Sequence, residues 1–350
     1  MTTRYVAADA LRGTVAAICS AAGSEPAEAG LIARRLVDAN LVGHDSHGVI
    51  RLPRYIISLK TGGVFVNRHA TVVLDTGSLI VVDGNNGFGQ VVGGEAMAIG
   101  IEAAKRTGAC VLALRHSSHL GRIADWAEMA ADEGLASFHF VNVTGIGASR
   151  VAPFGGSDAR LATNPIAAAI PRPDDRHIVL DMATSVVAEG KIAVAANRGV
   201  ETPEGWLIDR HGKPTRDPRE LYTSPGGAIM PFGAYKGYGL ALFVDLIAGA
   251  LIGAGGIAHK HDDSARVENN MVAMIVDPER MGDRKAFDAE VEAIVAYVTA
   301  SKPSGDAAVL VPGDPERRTR AERLANGIPL EAETWRQIVE AGKSVGAIVE

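Results

Sequence analysis

His44, Asp45, Ser46, His47, Arg51, Arg54 and Tyr55 all fall within the segment GHDSHGVIRLPRY, Gly43 to Tyr55. Packing does not call for that mixture. An imidazole, with an ordinary pKa of about 6.5, gives and takes a proton near neutrality, as interconversion of a hydroxyl and a carbonyl requires. Arg51 follows His47 by four positions and offers a planar fork that matches a carboxylate. The plainer reading is a polar surface loop with a capping Asp or Ser. Isolated His and Arg are common in loops, but this combination has the makings of a site for a small anion and a proton transfer.

A second polar cluster, RHSSHLGR, spans Arg115 to Arg122 at the end of an expected strand, where α/β sheets tend to place ligands. His119 is its favoured member; the alternative is a hydrogen-bonded structural histidine near a helix start. His44 with His47 and His116 with His119 share one spacing and raise a four-histidine metal site. Neither pair lies on a clear helix that would align it, so no metal is expected. The run His259, Lys260, His261, Asp262, Asp263 reads as a solvated loop. Lys236, between Gly233 and Gly237 in front of an apolar helix, suits a phosphate beside free backbone N–H groups, or else is a surface lysine.

Gly87, Gly89 and Gly93 are spaced G-x-G-x-x-x-G, one residue longer than the dinucleotide fingerprint. The acidic residue expected about 20 positions further on is missing; Arg115 and His116 occupy that neighbourhood. A tight strand-to-helix turn is the better reading of these glycines. There is no phosphate-binding G-x-x-x-x-G-K-[ST] and no G-x-S-x-G nucleophile elbow.

The elements that must position these residues follow from hydrophobic period. Ser24 and Pro26 open a helix that runs to Gly43, so GHDSHG sits where it ends. Strands are expected at Ala70 to Leu74, Ser78 to Val82, Ala109 to Leu114, Ala136 to Val143 and Met271 to Asp277. Helices are expected at Gln90 to Lys105, Arg122 to Glu133, Tyr238 to Gly253 and Asp288 to Val298, the third buried in the core. Asp314 before Pro315 reads as an N-cap, and the Pro- and Gly-rich stretch Asn197 to Pro231 as an extended flap or arm. The alternation argues for an α/β core with helices on a mixed sheet.

Bulk composition narrows the function. A net charge of -6 gives no basic field for nucleic acid. The longest apolar run, Tyr238 to Gly253, is shorter than a bilayer span and carries Asp245, so no membrane segment is expected. Cys19 and Cys110 lie in apolar stretches without a C-x-x-C pattern, and residues 1–10 show no secretory signal. A cytoplasmic protein is expected.

GHDSHG (43–48), GFGQ (87–90), HSSHLGR (116–122), ATNPIA (162–167), DMATS (181–185), GK (190–191), KGYGLAL (236–242) and PGDPE (312–316) run through nearly the whole chain. Together they closely resemble the type-2 malate/L-lactate dehydrogenase family, the sulfolactate dehydrogenase-like oxidoreductases. HLGR, HFV (139–141) and VAPF (151–154) bring the resemblance nearest to its bacterial hydroxycarboxylate dehydrogenases, which reduce 2-oxoglutarate and aryl-pyruvates.

The resemblance implies an α/β fold that binds NAD or NADP without a Rossmann domain, a homodimer, and hydride exchange between that cofactor and a small 2-hydroxy or 2-oxo acid. It implies a helical part at 1–68, a central cofactor- and substrate-binding region at 69–300, and a helical part at 301–350 packed on the first. By motif, His47 is the acid/base residue and His119 lies beside nicotinamide and substrate, with Ser46, Arg51 and Tyr55 facing the substrate. Gly121, Arg122, Ile123, Val179, Leu180, Asp181, Met182, Ala183, Tyr235, Lys236, Asn270, Gly313, Asp314, Pro315 and Glu316 match cofactor-contacting segments. Asp314 stands where many members have Glu, which leaves NAD against NADP open, and Leu120 stands where many have an aromatic, which leaves the substrate side chain open. The alternatives are a reductase of cyclic imino acids, and a non-catalytic ligand- or metal-binding protein on the same fold.

Overall fold

The computed structural model describes residues 3–145, 147–258 and 266–348. Strand β1 (Thr3–Val6) leads into three helices, α1 (Ala8–Ala21), α2 (Pro26–Leu41) and α3 (Leu52–Lys60). Pro26 occupies the first turn of α2, where a missing N–H costs nothing, and Ser24 Oγ donates to Glu28 Oε1 at 2.7 Å. The hairpin β2 (Thr71–Asp75) and β3 (Leu79–Asp83) is followed by α4 (Gly89–Thr107), β4 (Ala109–Ser117), α5 (Ala124–Asp132) and β5 (Ala136–Gly145). Next come β6 (Ile166–Ile170), β7 (Ile178–Met182) and α6 (Glu189–Arg198).

Residues 197–231 are not an extended arm. They fold into a small antiparallel sheet of β8 (Leu207–Ile208), β9 (Pro214–Thr215) and β10 (Ala228–Ile229). Leu207, Leu221 and Ile229 bury themselves with Val151, Leu161, Val187 and Ile192, which makes the excursion a lobe with its own apolar centre.

Helix α7 (Tyr235–Asp245) continues through a π-type turn, Leu246–Ala250. The sequence places this helix in the core, and only half of it is there. Gly237, Ala241, Val244 and Ala248 are buried, whereas Leu240, Leu242, Phe243, Leu246 and Leu251 are exposed, because nothing among the described residues covers their side. The chain then forms β11 (Val267–Val276), α8 (Pro278–Met281), α9 (Arg284–Thr299), α10 (Asp314–Asn326), β12 (Ile328–Glu331) and α11 (Ala332–Lys343). Asp314 is not the N-cap of α10. Gly313, at φ 99°, takes that place, and the Asp314 carboxylate accepts from Val311 N at 3.1 Å and Arg317 Nη2 at 2.7 Å. The expected loop at His259 to Asp263 lies outside the described residues.

Seven strands form one mixed sheet in the order β2-β3-β4-β11-β5-β6-β7, in which β3 and β4 run parallel and the other neighbours antiparallel. Helices α4 and α5 cover one face, with Met97, Leu112, Leu114 and Trp126 fully buried between. A second core joins both ends of the chain: β1 pairs with β12, and Leu11, Ile18, Ile32 and Leu36 pack with Ile328 and Ile338. No helix among the described residues is long and apolar enough to cross a membrane.

Candidate active site

Asn40, in the last turn of α2, organises the loop that follows. Its Nδ2 donates to Asp45 Oδ1 at 2.6 Å and its Oδ1 accepts from Val49 N at 2.8 Å. A Cβ on Gly48 would come 2.1 Å from that same Oδ1, so the close approach needs glycine. From α10, Arg323 grips the Asp45 carboxylate at 2.6 and 3.0 Å and the Asn40 carbonyl at 2.5 Å. The 3-10 turn Asp45–His47 is thereby held from both ends of the chain, and His47 rides on it.

His119 reaches His47 from the far side, on the segment leaving β4. The two imidazoles stack with planes 6° apart and centroids 5.7 Å apart. Helix α4 begins directly against this segment; a Cβ on Gly89 would lie 2.3 Å from the His119 carbonyl oxygen. Tyr55 Oη and His119 Nδ1 are 2.8 Å apart, and Gln90 Nε2 donates to Tyr55 Oη at 2.8 Å. Ser46 Oγ lies 3.0 Å from His47 Nδ1. Arg51 donates through Nε to the Ser46 carbonyl at 2.6 Å and has no acidic partner within ion-pair distance among the described residues.

Burial pushes His47 down to about 3, with the Arg51 guanidinium and His44 acting in the same direction. Burial, then Arg51 and His47, hold His119 well below its ordinary value. Both rings are therefore neutral near pH 7. Burial raises the Tyr55 phenol to about 12, so it stays protonated.

Two cavities meet here. The larger, of about 910 Å³, is lined by His44, Ser46, His47, Ile123, Asp181, Met182, Ala183, Lys191, Pro315 and Glu316, among others. The smaller, of about 140 Å³, is lined by His47, Arg51, Arg54, Tyr55, His119, Gly121, Ile123, Arg150 and Glu189, among others. In the larger one His44 Nε2 stands 3.3 Å from Glu316 Oε1, and that hydrogen bond draws the Glu316 carboxyl down. Burial raises the Asp181 carboxyl, which accepts from Ala124 N at 3.0 Å.

Of the residues singled out in the sequence, these two cavities gather Ser46, His47, Arg51, Tyr55, His119, Gly121, Ile123, Asp181, Met182, Ala183, Pro315 and Glu316. Val179 and Leu180 precede Asp181 on β7, and Gly313 and Asp314 shape the start of α10, all behind the lining. Arg122 is buried in ion pairs with Asp125 and Glu128, at 3.0 and 2.7 Å. Tyr235 and Lys236 stand exposed at the start of α7, outside the lining of both cavities. Asn270 is fully buried, accepting from His116 N at 2.9 Å and donating to Asn142 Oδ1 at 3.0 Å. His116 engages Asp83 at 2.9 Å, so it is turned to a carboxylate and not to its neighbour His119.

Sequence reasoning assigned no role to Asn40, Gln90, Arg150, Lys191 or Arg323. Gln90 and Lys191 stood in plain view in GFGQ and GK; nothing in the sequence signals Asn40 or Arg323, which act through loops and a helix far apart along the chain.

Two neutral imidazoles thus stand beside a guanidinium that has no acidic partner among the described residues, where a small and a large cavity meet. The sequence model of the malate/L-lactate dehydrogenase family matches residues 6–339. Hydroxycarboxylate dehydrogenase B of Escherichia coli (strain K12) is 42% identical over 342 residues, covering 97% of this chain and 94% of that protein. L-lactate dehydrogenase of Cupriavidus necator is 38% identical over 320 residues, 91% of each. The crystal structure of malate dehydrogenase from Entamoeba histolytica superposes with a TM-score of 0.92 at 27% identity, covering 99% of both chains. The chain belongs to the malate/L-lactate dehydrogenase family: it is an oxidoreductase of 2-hydroxy acids, and membership implies a nicotinamide cofactor.

Proposed function

We propose that this chain interconverts 2-hydroxy acids and 2-oxo acids of the malate, lactate, 2-hydroxyglutarate or aryl-lactate type, with NAD or NADP seated in the larger cavity. One observation carries the reading. His47 lines both cavities, so a proton-transferring ring stands where a small acid in one meets a larger ligand in the other.

The donor set of the larger cavity suits a dinucleotide. Lys191 stands in the first turn of α6 and offers a phosphate a cation; its own N–H is taken by the Ala188 carbonyl at 3.0 Å, which leaves the N–H groups just before it as donors. Asp181 and Glu316 offer acceptors for ribose hydroxyls. A Cβ on Gly190 would meet Ser46 Cβ at 2.7 Å, so glycine lets the start of α6 lie against the turn that carries His47. Gly121, Ile123, Asp181 to Ala183, Pro315 and Glu316 complete the proposed contacts. This is a dinucleotide site of the sulfolactate dehydrogenase type, outside a Rossmann unit; Gly89 and Gly93 are pressed against His119 and Trp126 instead of facing a ligand.

A nicotinamide held there would supply the hydride acceptor and donor chemistry. His47, neutral, takes the hydroxyl proton during oxidation and returns it during reduction. Burial is the first cause that holds His47 low and the Arg51 charge the second; a carboxylate on Arg51 offsets that second part, which makes the ring a better base. Arg51 orients the carboxylate through its Nη groups, which have no hydrogen-bond partner among the described residues, while Nε stays on the Ser46 carbonyl. Arg54 and Arg150 also line the smaller cavity, opposed there among the described residues by Glu189 alone, with Arg150 Nε 3.8 Å from its carboxylate. That surplus of positive charge favours a substrate with a second carboxylate.

The uncovered apolar side of α7, with Leu240, Phe243 and Leu246, supports a homodimer, and the two free buried thiols, Cys19 and Cys110, accord with a cytoplasmic setting. The test is a panel of 2-oxo monoacids, 2-oxo diacids and cyclic imino acids, each with NADH and NADPH, read by nicotinamide absorbance. Turnover of diacids ahead of monoacids is expected. Turnover of cyclic imines alone, or of nothing, would overturn the reading.

A further inference from the structure

We infer that Gln90 is a positioning residue that sets the direction of a hydrogen-bond chain through Tyr55 to His119, so that His119 presents an N–H to the substrate oxygen. The inference deepens the proposed function and rests on it only for the consequence in catalysis.

The direction follows from donor and acceptor inventory. The Gln90 amide nitrogen lies 2.8 Å from Tyr55 Oη and 3.4 Å from the His119 carbonyl oxygen. A carbonyl only accepts. With the amide turned over, Oε1 would face that carbonyl, acceptor against acceptor, so the nitrogen belongs where it is. Tyr55 Oη therefore accepts from Gln90, and its single hydrogen has one acceptor among the described residues, His119 Nδ1 at 2.8 Å. A neutral imidazole that accepts at Nδ1 carries its hydrogen on Nε2. Nε2 has no hydrogen-bond partner among the described residues, and His119 lines the smaller cavity beside His47.

Gln90 is 2% exposed, and its Oε1 is buried without a partner. A buried orphan acceptor is a cost that an apolar side chain of similar shape would avoid. That cost is offset by what the nitrogen does, which is to keep Tyr55 a donor toward His119.

The two histidines thereby take different parts. His119 donates to the oxygen that becomes or ceases to be a carbonyl, and His47 exchanges the proton. Gln90→Glu reverses the chain: a carboxylate accepts the Tyr55 hydrogen, Tyr55 Oη then accepts from His119 Nδ1–H, and Nε2 is left bare. Gln90→Met cuts the chain with little change of shape.

The experiment is nitrogen NMR of ¹⁵N-histidine-labelled protein without ligands, with the His119 signals assigned by their loss in His119→Asn, alongside steady-state kinetics and a thermal melt. The Nε2–H form is expected for His119 in the wild type and the Nδ1–H form in Gln90→Glu. Both Gln90 variants should lose roughly 10- to 100-fold in kcat, as loss of such supporting partners does, while KM for the acid changes little because Arg51 is untouched. A wild-type His119 in the Nδ1–H form, whatever the substrate proves to be, overturns the inference, as does a Gln90→Glu protein that keeps the Nε2–H form. If Gln90→Glu fails to fold, Gln90→Met decides: wild-type kcat in a folded Gln90→Met protein overturns it equally.

Discussion

The imidazoles of His47 and His119 lie face to face, 6° from parallel, although one rides on a 3-10 turn after α2 and the other leaves the end of β4. Only His47 also borders the larger cavity. Under the proposed function, that asymmetry gives the proton transfer to His47. His47→Gln should lower kcat by about 10²- to 10⁴-fold, the usual contribution of a general acid/base, and leave NADH or NADPH affinity nearly intact. Stopped-flow turnover beside a fluorescence titration checks both halves; a variant with near wild-type kcat removes the assignment.

Arg51 is already tied through Nε to the Ser46 carbonyl, which points its Nη groups without spending them. A lysine cannot hold that anchor and present a fork at once. Arg51→Lys should raise KM for a 2-oxo acid by 10-fold or more, on the order of one lost charge-assisted bond. Comparing the acid with its amide isolates the carboxylate: the wild type should favour the acid strongly and the variant hardly at all.

Much of this site was legible in the chain because its chemistry sits in two short runs, GHDSHGVIRLPRY and RHSSHLGR, placed at the ends of elements that hydrophobic period reveals. The strands at 71–75, 79–83 and 109–117 fell within a few residues of expectation for the same reason. The apolar run in α7 misled, since composition reports that a side wants covering and not whether its own chain covers it. Asp314 misled because Asp-Pro fits a cap-and-start pattern equally well one residue further in, once Gly313 can adopt a left-handed backbone.

Gly89 turns the chain from β3 toward α4, and its surroundings show why a glycine is needed. A Cβ there would press on backbone, 2.3 Å from His119 O and 2.8 Å from Leu120 Cα, which cannot yield as a side-chain tip would. Gly89→Ala should destabilise by about 1–3 kcal/mol, as overpacking does, and should also slow turnover by displacing His119. Unfolding in urea gives the first and kcat on the folded fraction the second; a stable, fully active variant contradicts the packing.

The phosphate site is best tested by two lysines in parallel. Lys191 lines the larger cavity at the start of α6, while Lys236 stands exposed outside it. Lys191→Ala should weaken NADH or NADPH binding by roughly tenfold or more, and Lys236→Ala by much less. The opposite order in a fluorescence titration would move the phosphates to the start of α7, the place the sequence suggested.

Acid should destabilise this fold through histidines that it keeps neutral. His47 and His139 are held down at about 3 against an ordinary 6.5, and His119 well below it, burial being the first cause each time. Between pH 6.5 and about 3 the unfolded chain binds protons that these native rings refuse, so stability falls as pH falls through that window. Asp125, raised to about 6 by burial, works against the trend, since its native form takes up a proton before the unfolded one does. His139 isolates the effect because it is fully buried on β5, its Nε2 2.9 Å from Ser137 Oγ, and it lies outside both cavities. From pH 6.5 to 5 its refusal to protonate should cost about 1.6 kcal/mol, a little under the full 1.36 kcal/mol per pH unit because the unfolded ring is half protonated at the start. His139→Gln, which has nothing to titrate, should therefore lose about 1.6 kcal/mol less than the wild type over that interval in urea unfolding, whatever its stability at pH 7. Equal losses in the two proteins would mean that His139 takes up its proton in the folded state after all.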